Sequence, residues 1–77
     1  MRNEIINMLS EIRPEFDYSD SKNFIEEGLL DSFDIVSLVT MIEERFNVQI
    51  DGIDIVPENF ESVMAIGDLI KKSEGKN

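Results

Sequence analysis

Ser32 stands between two aspartates in the run GLLDSFD, residues 28–34. Few kinds of chemistry are open to it. The chain has neither histidine nor cysteine. A Ser-His-Asp arrangement is therefore excluded, and no G-x-S-x-G elbow surrounds the serine. The same two absences remove disulfides, thiol nucleophiles and the commonest zinc ligands. Carboxylate pairs for acid–base work need a cleft that drives their pKa values apart, and nothing in the sequence implies one. Ser32 is not set up to attack a substrate unaided, and we expect no enzyme. Two roles remain at this position. The serine can cap a helix, or it can carry a phosphate ester, which free backbone N–H groups and the helix dipole would stabilise.

The elements around it follow from periodicity and punctuation. Ile5, Leu9 and Ile12 fall on one helical face, so a first helix is expected over roughly 3–13, with Asn3 as its cap and Pro14 ending it. Residues 14–31 form a long connection rich in the turn formers Asp17, Ser19, Asp20, Ser21 and Asn23. Phe24, Ile25, Leu29 and Leu30 should pin it, and Gly28 can supply a positive φ. A second helix is expected over 32–46, with Val36, Val39, Ile42 and Phe46 inward, Ile35 and Leu38 flanking them, and Asp31 or Ser32 as cap. A short helix over 57–61 would begin with Pro57 at its first position. A last helix over 62–73, capped by Ser62, closes the chain before a polar tail. The expected fold is all-α: a small four-helix bundle of three main helices plus a short third one, with a long first loop, in a single domain over 1–77.

Seventeen acidic residues against seven basic ones give a net charge of −10. Such a surface repels nucleic acid and anionic membranes, and it speeds the approach of basic partners. No apolar run approaches the ~20 residues that span a bilayer, and the start lacks a signal-peptide pattern, so a cytoplasmic monomer without membrane insertion is expected. No metal is expected either. Counted from Asp17, an EF-hand loop would need Gly where Lys22 stands and an acid where Gly28 stands. Asp51, Asp54, Glu58 and Glu61 read as an exposed acidic loop.

The segment GLLDSFDIVSLVTMIEERFNVQI resembles the modification site of the acyl carrier protein superfamily, which includes peptidyl and D-alanyl carriers. That family's Asp-Ser-Leu followed by an acidic amphipathic helix reads here as Asp31-Ser32-Phe33, then Asp34, Val36, Leu38, Val39 and Glu43-Glu44 before Phe46. Length, acidity, the long first loop and the last helix extend the resemblance over essentially the whole chain. It implies that a phosphopantetheinyl transferase moves 4′-phosphopantetheine from coenzyme A onto Ser32. The thiol missing from the chain would come from that arm, which carries acyl or aminoacyl groups as thioesters.

The resemblance also implies basic partners on the second helix: the transferase, a loading ligase, and a downstream synthase or transferase. Asp31, Phe33, Asp34, Ile35, Thr40, Met41, Glu43 and Glu44 are the candidate docking residues, with core packing as the alternative for Phe33 and Ile35. If the fold also sequesters an acyl chain, Val36, Val39, Ile42, Ile66 and Leu69 would line the space, unless they are ordinary core. Phe33 in place of Leu, Ser37 in place of an acid, and the segment IVPENFES lean towards a stand-alone carrier for a dedicated pathway. A D-alanyl carrier for cell-envelope modification and a carrier of central fatty acid synthesis remain alternatives. Outside carriers, the alternative is an unmodified acidic helical adaptor.

Overall fold

The computed structural model describes residues 1–19 and 23–75. The turn formers Asp20 and Ser21, and Lys22, lie outside the described residues. Helix α1 runs Arg2–Ile12, α2 Ser32–Phe46 and α3 Val63–Glu74. Two 3-10 turns, Gly52–Asp54 and Pro57–Phe60, lie between α2 and α3. No strand occurs among the described residues. Helix α1 packs against both α2 and α3, and the second 3-10 turn packs against α3. The all-α bundle expected from the sequence is what forms, its short third helix being a 3-10 turn begun by Pro57.

The ends of the helices show why the chain folds this way. Helix α1 stops at Ile12 because Pro14 disfavours helical geometry at the residue before it, and Arg13 turns to φ −135°, ψ 82°. Asn3 does not cap α1. The helix already starts at Arg2, and the flanking Met1 offers no side-chain cap. Ser62 does cap α3, its Oγ accepting from the Ala65 amide at 3.0 Å. Lys71 and Lys72 lie in the last turn, where the dipole favours cations.

One cluster of apolar side chains forms the core, drawn from all three helices and from the loops. In α2 the inward stripe is Ile35, Leu38, Val39 and Ile42, at spacings of three and four. This corrects the expected face. Val36 is 63% exposed, because one step along the helix turns it about 100° away from Ile35 and off the buried stripe. A stripe through 35, 38 and 42 sends 33, 36 and 40 outward.

The first loop is pinned as its apolar residues suggest. Phe24, Leu29 and Leu30 are buried, and Ile25 packs against the core. Tyr18, which no periodicity marks, is buried with them and meets Phe24 edge-on at 5.3 Å between centroids. The Asn23 side chain accepts from the amides of Ile25 and Glu26, and its Nδ2 donates to Glu61 at 3.1 Å. The Phe24 amide donates to the Glu61 carbonyl at 2.8 Å, which ties this loop to the start of α3. Gly28 then takes φ 75°, a left-handed turn that glycine adopts without a Cβ clash. It delivers the chain into Leu29, Leu30 and the start of α2.

The 51–61 segment is not a uniformly exposed acidic loop. Asp54 is buried, and its Oδ1 accepts from Lys72 Nζ at 2.8 Å. A carboxylate taken this far out of water needs such a partner. Glu61 is half-buried against Asn23, while Asp51 and Glu58 stay exposed. No described helix is long and apolar enough to cross a membrane.

Candidate functional site

Ser32 occupies the first helical position of α2 and is exposed. The cap is Asp31, at φ −115°, ψ −174°. Of the two caps the sequence leaves open, the structure uses the aspartate. Asp31 Oδ1 accepts from the Asp34 amide at 3.0 Å, and Asp34 Oδ2 accepts from the Asp31 amide at 3.0 Å. This reciprocal box satisfies two amides that every helix start leaves open. It also frees the Ser32 hydroxyl from any structural role, since that hydroxyl makes no hydrogen bond among the described residues.

Arg13 closes the arrangement from the end of α1. Its Nε donates to Asp34 Oδ2 at 3.0 Å and its Nη2 to Asp31 Oδ2 at 3.3 Å. The guanidinium thus spans both members of the box, and bonding to Asp34 raises its pKa and keeps it charged. The Asp34 amide holds the Asp31 carboxyl below its ordinary value. Arg13 adds to that effect, and partial desolvation works against it. Because the folded value is lowered, ionised Asp31 stabilises the fold. That contribution is fully present above the unfolded value of about 3.9 and is lost as pH falls through the folded one. Asn caps a helix about as well as Asp. Asp31→Asn should therefore flatten the fall in stability over this acid window, measured by urea unfolding at a series of pH values.

The docking candidates separate by exposure. Phe33 is 82% exposed, and Asp31, Thr40 and Glu44 are also exposed. Asp34 and Ile35 are buried, so neither offers a partner a surface. Asp34 turns inward because the capping box and Arg13 need it there, and Ile35 because it lies on the core stripe. Met41 is half-buried against the core. Glu43 is half-buried as well, its Oε2 accepting from the Ile50 amide at 3.0 Å. Sequence reasoning missed Val36, which at spacings of three and four shares the outer face with Phe33 and Thr40. It also missed Arg13, which in the sequence marks only where a helix ends.

Val39, Ile42, Ile66 and Leu69 are core, and Val36 faces outward. An open groove of about 280 Å³ lies elsewhere, between α1 and α3, lined by Met1, Ile5, Val63, Met64 and Gly67 among others.

The exposed serine at a helix start fits a covalent phosphodiester on chemical grounds. The hydroxyl is accessible, and the amides and dipole of the helix start favour added negative charge. Comparison with known proteins bears on the chain as a whole. The family model for a phosphopantetheine attachment site matches residues 3–70. The chain is 32% identical over 71 residues to a protein named acyl carrier protein from Wolinella succinogenes, covering 92% of this chain and 86% of that one. A protein of the same name from a Sulfurovum species is 32% identical over 68 residues, with 88% and 83% covered. One from Buchnera aphidicola is 46% identical over 48 residues, with 62% and 59% covered. No solved structure matches the chain significantly.

Proposed function

The chain belongs to the phosphopantetheine attachment-site family of acyl carrier proteins, and from that premise we propose that Ser32 is the attachment point of its arm. Members of this family are carriers rather than enzymes, and the arm is a covalent 4′-phosphopantetheine. One observation carries the assignment to Ser32: the capping work at the start of α2 is done by Asp31 and Asp34, so an exposed hydroxyl stands there with no structural duty. When attached, the arm supplies a thiol that holds acyl or aminoacyl groups as thioesters. The protein's own residues present the hydroxyl, hold the helix start rigid and display a recognition face.

That face is Asp31, Phe33, Val36, Thr40 and Glu44, with Glu26 and Glu27 beside it in sequence; all seven are exposed. It suits partners that offer basic side chains around an apolar patch: a phosphopantetheinyl transferase, a loading ligase and an enzyme that takes the cargo on. Exposed ion pairs are individually worth only about 0–1 kcal/mol, so docking is fast and brief, as a shuttle requires. The domain spans 1–77 and works as a cytoplasmic monomer. Its place is as a stand-alone carrier for a dedicated acyl or aminoacyl pathway. Incubation with coenzyme A and a phosphopantetheinyl transferase should add one phosphopantetheine to the intact mass. An unchanged mass would leave an unmodified adaptor as the better reading. The mass of the group on the arm after isolation from cells would identify the cargo.

A further inference from the structure

We propose that Arg13 is a positioning residue for the modification of Ser32, acting through the Asp31–Asp34 box. The proposal rests on Ser32 being the attachment point. In that transfer the Ser32 Oγ attacks the phosphorus that bears the pantetheine in coenzyme A. An Oγ–P bond forms, the P–O bond of the diphosphate breaks, and adenosine 3′,5′-bisphosphate leaves. The hydroxyl proton passes to a base on the transferase. Nothing in this step requires Arg13 to touch the reacting atoms. It does require that the first turn of α2 hold the hydroxyl still and in one direction, because small misplacements of a reacting group are costly.

Arg13 is built to hold that turn. Its backbone is fixed from both sides: its amide donates to the Leu9 carbonyl at 2.9 Å, and its carbonyl accepts from the hydroxyl of buried Tyr18 at 3.0 Å. From this base the planar guanidinium reaches one oxygen of each aspartate, at 3.0 and 3.3 Å. A rigid fork suits two acceptors in fixed relation, whereas a lysine ammonium is a single point charge on a flexible stem. The Asp34 oxygen that Arg13 binds also accepts the Asp31 amide, and Asp31 is bonded directly to Ser32. The guanidinium therefore reaches the residue next to Ser32 by two routes, directly through one hydrogen bond to Asp31 and through two hydrogen bonds by way of Asp34. The same cation stands against Asp31 and Asp34 as an anionic diphosphate approaches this acidic stretch.

The test is steady-state transfer from coenzyme A to the full chain, with kcat and KM for the carrier measured separately for wild type, Arg13→Gln and Arg13→Lys. It is run at a temperature where circular dichroism shows each protein folded. For Arg13→Gln we expect kcat to fall about tenfold and KM not to rise, because losing a positive charge leaves the surface more attractive to a basic enzyme. Arg13→Lys, able to reach one acceptor at a time, should lie between. An unchanged kcat in folded Arg13→Gln would overturn the proposal by reducing Arg13 to a stability element. So would a raised KM at unchanged kcat, which would make it a docking residue. If Arg13→Gln does not fold, a wild-type kcat in Arg13→Lys would overturn the proposal equally. A wild type that takes no group would overturn the attachment reading itself, and this proposal with it.

Discussion

Ser32→Ala should abolish the gain of phosphopantetheine while leaving the fold as stable as the wild type to within about 0.5 kcal/mol. The two halves of this result have separate causes. The loss is chemical: an alanine has no oxygen to form the ester, and the chain offers no cysteine as a substitute nucleophile. The retained stability is structural. Were Ser32 the N-cap, its removal would cost about 1 kcal/mol. The cap is Asp31, Ser32 sits one position inside, and its hydroxyl bonds to nothing among the described residues. Alanine is also the better helix former at an exposed position. Intact mass after incubation and the urea midpoint of the unmodified protein read the two halves independently. A residual gain of mass would place the ester on another hydroxyl. A drop of a full kcal/mol would show that the serine helps to hold the helix start.

How the site reads from sequence depends on which interactions are local. The cap, Gly28 at positive φ and the Ser62 helix start all depend on neighbours within a few residues, and each is visible in the spacing of residue types. The inward stripe of α2 is visible only approximately, because alternative apolar residues at 35, 36, 38 and 39 satisfy helical periodicity about equally well. Only packing against α1 and the loops decides that Ile35 goes in and Val36 out. Arg13 is illegible for a different reason. Its partners are 18 and 21 residues away, and no local pattern links an arginine before a proline to a capping box on the next helix. Asp54 reads as a surface acid in a run of acids, until Lys72 from the end of α3 is seen beside it. Charge composition announces that acids are abundant. Which of them leave the surface is settled only by the cations that the fold brings to them.

Phe60→Ala should damage the fold severely, removing about 3–5 kcal/mol. Phe60 is fully buried at the end of the second 3-10 turn, which packs on α3. Truncating an aromatic side chain loses its transfer free energy and leaves a cavity that a well-packed surround closes only in part. Small domains have thin cores, and whole-domain stabilities run from about 5 to 15 kcal/mol. One such loss can therefore remove half of the total. The effect should reach the serine. Residue 61, next in the chain, accepts from the Phe24 amide and from Asn23 Nδ2. Through them it holds the loop in which the Leu29 and Leu30 amides both bond to the Phe24 carbonyl, just ahead of Asp31. Loosening the turn at Phe60 should therefore raise the amide exchange rates of Leu29 and Leu30 together with those of α3, as one cooperative unit opens. Phe60→Leu, which keeps much of the volume, should cost markedly less and leave both regions protected. If α3 loses protection in Phe60→Ala while Leu29 and Leu30 keep theirs, the loop that presents Ser32 is held from α1 and α2 alone, and the tie through Glu61 carries no weight.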